Sequence, residues 1–188
     1  MGRVPTPSQT VGPFFSIGLS ALCGEKIACG SAAGQRVLVR GRVLDGNGEP
    51  VPDAVLEIWL ADQAAIENRA EHADARREKI PDGFGRIATN ERGEFQFSTI
   101  KPAARRDAEG LTHAPHLAVL LLMRGLLRHL LTRVYFAGDA ANGEDVVLKL
   151  VPPERRGTLL AEPSKGNISE LSWDIHLQGE RETVFFEA

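Results

Sequence analysis

The sequence predicts an all-β domain, a β-sandwich of the kind that carries an extended N-terminal arm and irregular loops or short helices. Three observations predict it. About seven apolar stretches have strand length, and several alternate with period 2. Turn signals rich in Gly, Asn and Asp separate them. The leucine-rich run 117–131, which a helix would also fit, is broken by Arg124-Gly125 and flanked by strand signals. The chain has 188 residues, enough for one domain with a sizeable core and no need of disulfides. Hydrophobic residues make up 43% and charged residues 25%, usage that argues against general disorder.

Residues 1–34 read as an irregular arm. Pro5, Pro7, Gly12 and Pro13 exclude a regular helix at its start, yet Val11, Phe14, Phe15, Ile17 and Leu19 are apolar and need a surface to lie on. The domain proper is expected over 35–188. Arg36–Leu44 is short, β-branched and partly alternating. Asp45-Gly46-Asn47-Gly48 is a turn, and 54–60 is a second strand that looks paired with the first as a hairpin. Residues 61–82 are rich in Ala, Glu and Arg and fit a surface helix or a long loop. Residues 83–89 lead into a turn at 90–93, and Glu94–Ile100 is a clean strand closed by Lys101-Pro102. Residues 103–113 read as loop, with strands at 116–123 and 132–136. Val146–Val151 is ambiguous. Residues 171–177 alternate well, 178–182 turn, and Thr183–Phe186 reads as a closing strand.

Several chemistries lack their usual signatures. There is no P-loop, Rossmann glycine pattern, nucleophile elbow or HExxH. A net charge of −3 gives no basic surplus for nucleic acid. The two cysteines, Cys23 and Cys29, make neither a zinc site nor a secreted scaffold and read as free thiols. The N-terminus lacks an apolar signal core, and Pro5 and Pro7 suit Gly2 myristoylation poorly. The most apolar run, Leu117–Met123, is too short to cross a bilayer, so a soluble cytoplasmic protein is expected.

Three features remain as candidates. His113 and His116 form an HxxH whose odd spacing on a strand would send them to opposite faces, one buried and one exposed. Gly12-Pro13 sits in an unusual arm segment, where glycine permits close backbone approach and proline fixes the path. Arg124 ends an apolar strand, and its guanidinium calls for an anion: an Asp or Glu of this fold, or an anionic ligand.

Taken together, the segments resemble a known family. Thr6-Pro-Ser-Gln-Thr-Val-Gly-Pro-Phe14, Asp45-Gly-Asn-Gly48, Leu56-Glu-Ile-Trp-Leu-Ala-Asp62, Phe84-Gly-Arg86, Thr99-Ile-Lys-Pro102, Ala114-Pro-His116, Thr132-Arg-Val-Tyr-Phe136 and 178–186 follow in the order of the intradiol ring-cleavage dioxygenases. The arm, the Ala114-Pro-His116 step, Arg124-Gly125 and the C-terminal ending resemble the α type of the two-subunit members in particular. The resemblance runs over nearly the whole chain. It implies a β-sandwich and an oxidoreductase of aromatic compound catabolism, in the β-ketoadipate pathway. The implied reaction inserts O2 between the hydroxyl-bearing carbons of protocatechuate, giving 3-carboxymuconate. The cofactor is a non-haem ferric iron held by two tyrosinates and two histidines, hard donors that suit Fe(III).

The same resemblance implies that this chain does not hold the iron. Catalytic members place one tyrosine after the Ile-Trp strand and another after the Ile-Lys-Pro turn. Here 61–86 contains no Tyr, and neither does Lys101–Asp107. The family's HxH step reads His116-Leu117-Ala118. The sole tyrosine, Tyr135, falls in a later strand. The iron is expected from a homologous β subunit in an αβ hetero-oligomer. Carried over by motif, Thr10, Gly12 and Pro13 of the arm and Arg124 line the substrate cavity. Phe14 stands where the family often has Tyr, and 61–82 and Leu126–Leu131 depart from the usual pattern. The alternative is a non-catalytic β-sandwich that binds aromatic acids.

Overall fold

The chain was analysed as a computed structural model, which describes residues 6–12, 14–27, 34–60, 83–164 and 167–187. Its elements in order are α1 (Phe14–Leu19), β1 (Arg36–Leu44), β2 (Val55–Leu60), β3 (Phe84–Ala88), β4 (Glu94–Ile100), β5 (Arg105–Arg106), β6 (Thr112–His113), β7 (His116–Leu122), β8 (Leu130–Phe136), α2 (Val146–Leu150), β9 (Leu160–Ser164), β10 (Asn167–Ser172) and β11 (Ile175–His176). Short 3₁₀ turns lie at Ser20–Leu22, Ala140–Gly143 and Pro153–Leu159.

Two layers of strands follow. One runs β4-β1-β10-β9 and the other β8-β7-β2-β3, with β9 hydrogen-bonded to both β10 and β8. The alternation read from sequence dictates which side chains lie between the layers. Val37, Val39, Phe95 and Phe97 come from one, and Leu56, Ile58, Leu117, Val119, Leu121, Val134 and Phe136 from the other. These side chains are buried, and their removal from water is the main force holding the layers together. The predicted sandwich is the observed architecture.

Three local expectations are corrected. β1 and β2 do not form a hairpin. The turn at Asp45–Gly48 does form, with Asp45 accepting from the Asn47 and Glu49 N–H groups, but pairing stops at the Leu44–Pro50 bridge. Pro50 and Pro52 cannot extend a ladder, so β2 leaves for the other layer and pairs β3 and β7. The C-terminal Thr183–Phe186 is not a strand; it makes a single bridge, Phe186 to Leu131. The arm, read as irregular, holds the short helix α1 directly after position 13.

Smaller differences have equally local causes. The 171–177 strand is interrupted at Trp173-Asp174, where β1 changes partner from β10 to β11. Gly41 permits this: a Cβ there would fall 1.8 Å from the Trp173 carbonyl oxygen. The ambiguous 146–151 segment is helical because Asp145 caps it, accepting from the Val147 and Leu148 N–H groups. The loop 103–113 contains the two-residue ladder β5–β6. β9 had no counterpart in the sequence reading. The 61–82 segment and Cys29 lie outside the described residues; Cys23 is a free thiol.

Candidate functional site

The structure brings the arm to the turn after β7. Gly125 has φ +93°, a left-handed conformation that glycine adopts without strain. Its N–H donates to Thr10 Oγ1 at 2.8 Å. The Thr10 hydroxyl thus ties two segments more than a hundred residues apart. Gly12 is exposed, and a Cβ on it would meet nothing within 4 Å. No packing among the described residues requires glycine there. Pro13 lies outside the described residues.

Arg124 finds the internal partner that its residue type called for. Its Nε donates to Asp53 Oδ2, in the loop before β2. The arginine side chain remains 55% exposed against 19% for Asp53, so much of the guanidinium still faces solvent. Thr10, Gly12 and Arg124 therefore converge on one region of the surface. Beside them is an open groove of about 850 Å3, lined by Ser8, Gln9 and Val11 of the arm, Leu122, Met123, 126–131, and Phe185 and Phe186. Its walls are formed by the neighbours of Thr10, Gly12 and Arg124 rather than by those three.

A second groove, about 780 Å3, opens over the outer side of β1 and β4, with Cys23, Arg40, Arg42, Glu94 and Asp174 in its lining. Sequence reading did not find it. Its two arginines are already matched: Arg42 pairs with Asp174 at 3.3 Å and Arg40 with Glu170 at 3.2 Å.

The remaining candidates cluster on the outer face of the β7–β8 pair. Register places His116 opposite Tyr135 and Ala118 opposite Arg133, on the side away from the core residues Leu117, Val119 and Val134. Tyr135 is fully buried under Ala114, Leu148, Val151 and Leu159, and its hydroxyl donates to Asp145 Oδ1 at 3.0 Å. Asp145, also fully buried, accepts in addition from the N–H groups of Ala114, Val147 and Leu148. Burial pushes the Tyr135 phenol well above its ordinary range, against ionisation.

Both histidines of the HxxH are buried, at 8% for His113 and 3% for His116, which corrects the expectation of one inside and one outside. The strand breaks at Ala114-Pro115, so the two belong to different strands and the face rule does not relate them. His113 Nε2 lies 3.0 Å from Asp107 Oδ2, and that hydrogen bond holds the Asp107 carboxyl below the usual carboxylate range. His116 Nδ1 lies 2.7 Å from the Ala114 carbonyl, and burial drives its pKa down to about 4. His129 is exposed just before β8, whereas His116 opposes Tyr135 near the strand's far end. Some five residues of strand, roughly 17 Å, separate the two sites, so the three histidines do not converge.

These residues do not fit a ferric site of tyrosinates and histidines. The only phenol is buried, bonded to a carboxylate and held protonated. The position two after His116 is Ala118. Among the described residues, no group of three or more His, Cys, Asp and Glu is placed to hold a metal ion.

A family model described as Dioxygenase matches residues 12–179. The chain is 39% identical over 197 residues to the protocatechuate 3,4-dioxygenase alpha chain of Pseudomonas putida, covering 97% of this chain and 96% of that one. The alpha chain of Burkholderia cepacia is 40% identical with the same coverage. The beta chain of the Burkholderia cepacia enzyme is 30% identical over 158 residues, 80% of this chain and 67% of that one. Among solved structures, hydroxyquinol 1,2-dioxygenase from Pseudomonas putida DLL-E4 superposes with a TM-score of 0.62 at 20% identity, over 94% of this chain and 63% of that one, a likeness of fold.

Proposed function

The chain belongs to the intradiol dioxygenase family, and from that premise we propose that it is the α subunit of a protocatechuate 3,4-dioxygenase. The αβ enzyme cleaves protocatechuate between its two hydroxyl-bearing carbons with O2, giving 3-carboxy-cis,cis-muconate. The observation that carries the subunit assignment is the fate of Tyr135: the chain's only phenol is enclosed in a protein cluster and spent on Asp145. A homologous β subunit supplies the ferric iron. This chain supplies a wall of the substrate cavity through Thr10, Gly12, Pro13 and Arg124.

Thr10, Gly12 and Arg124 each have a physical task. Thr10 latches the arm to Gly125, which sets the arm's path beside Arg124. Gly12 has open space around it, room in which a partner surface or a ligand can approach the backbone closely. Arg124 keeps an exposed guanidinium beside that path, and a cation there attracts the carboxylate of protocatechuate. The arm packs on its own domain and on the β subunit, and the enzyme works in the cytoplasm. No helix among the described residues is long and apolar enough to cross a membrane.

Co-expression with an intradiol β subunit tests the proposal. The two chains are expected to co-purify, and the complex to consume O2 with protocatechuate. A chain that stays apart from β yet binds protocatechuate alone would instead support a non-catalytic binding module.

A further inference from the structure

We propose that Asp53 is a positioning residue for ligand recognition. It holds Arg124 by the Nε edge and so keeps the other edge of the guanidinium open to a carboxylate. The inference rests on the reading of Arg124 as a substrate-cavity residue and deepens it.

Asp53 stands on the short loop between Val51 and Ala54. Thr89, 8% exposed, staples it from both sides. Its hydroxyl donates to the Val51 carbonyl at 2.8 Å and accepts from the Ala54 N–H at 3.0 Å, while its own N–H donates to the Ala54 carbonyl at 2.9 Å. Pro52, with φ fixed by its ring, precedes Asp53 directly. The carboxylate therefore stands on a rigid mount and is only 19% exposed.

Arg124 has no comparable mount. It follows β7 at the start of the Gly125 turn and is 55% exposed. Among the described residues, Asp53 is its one hydrogen-bonding or ionic partner. An unrestrained arginine has many rotamers to lose on binding. Asp53 takes that loss during folding, and its contact through Nε leaves the terminal nitrogens without a partner among the described residues. Two such donors match the two oxygens of a carboxylate. Asp53 also offsets part of the Arg124 charge, so its orienting and neutralising effects oppose each other. Replacing the carboxylate by an amide keeps an acceptor for Nε but removes the charge, which separates them.

The test uses the αβ complex, with steady-state kinetics on protocatechuate and anaerobic titration of protocatechuate and of catechol, which lacks the carboxylate. Asp53→Ala is expected to raise KM for protocatechuate about two- to fivefold, the weight of one exposed charge pair, with kcat little changed. Its catechol affinity is expected to stay the same. Asp53→Asn is expected to restore KM to the parent value or below it. Asp53→Ala added to Arg124→Ala is expected to change nothing further, since the first acts only through the second. Equal weakening of both ligands in Asp53→Ala would overturn the proposal by making Asp53 merely structural. So would an unchanged KM for Asp53→Ala where Arg124→Ala raises it. An unchanged KM in Arg124→Ala would remove the cavity role of Arg124 itself, and the positioning role with it.

Discussion

Arg124 and Tyr135 show how one side chain's partner decides what it can do. Arg124 meets its carboxylate at the surface and keeps much of its charge in solvent. Arg124→Ala in the αβ complex is expected to raise KM for protocatechuate up to about fivefold and to leave iron content intact. Paired kinetics and metal analysis check this. Tyr135 and His116 meet theirs in the interior. The His116 pKa is lowered from its ordinary value to about 4, so the folded state binds fewer protons than the unfolded one between pH 4 and 6.5. Its contribution to stability is whole above pH 6.5 and is lost as the pH falls toward 4. Urea unfolding of the purified chain at pH 7.5 and 5.0 is expected to show a loss of about 2 kcal/mol from this group. His116→Gln is expected to remove that part of the pH dependence.

At the scale of elements, Asp145 does more than cap α2. One buried carboxylate accepts from two N–H groups of the helix, from the Ala114 N–H ahead of β7, and from Tyr135 on β8. Asp145→Ala strands the Ala114 N–H and the Tyr135 hydroxyl in the interior as well as uncapping α2. A loss of about 3 kcal/mol or more is expected, read as a Tm drop of about 10 °C. An Asp ahead of an apolar run is a local capping signal, but the bonds to Ala114 and Tyr135 join other elements and leave no local pattern. Elements with a local cause were legible. β4, β7 and β8 followed from alternation and from the break at Arg124-Gly125. The β1–β2 hairpin was misread because the Asp45–Gly48 turn is genuine, and only the prolines beyond it show that the chain changes layer. Thr183–Phe186 has strand composition, but its N–H groups find irregular partners: Thr183 donates to the His176 carbonyl and Val184 to the Thr158 hydroxyl.

At the scale of the molecule, the sandwich was legible because burial between two layers leaves a period-2 imprint on each strand. The candidate site was legible only through motifs, since its members lie far apart in the chain. Thr10 and Gly125 are joined across 115 positions, and Arg124 and Asp53 across 71. No local rule relates such residues. Asp53 was missed for that reason, although an arginine at a strand end did signal that some anion must be near. The fold is shared with metal enzymes, yet the described residues do not fit a ferric site of tyrosinates and histidines: Tyr135 is hydrogen-bonded to Asp145, and His116 to the Ala114 carbonyl. Iron analysis of the purified chain, set beside that of the complex with β, tests this most directly. One iron per αβ pair, and none bound by this chain alone, is the expected result. Stoichiometric iron in the isolated chain, or two per pair, would contradict it.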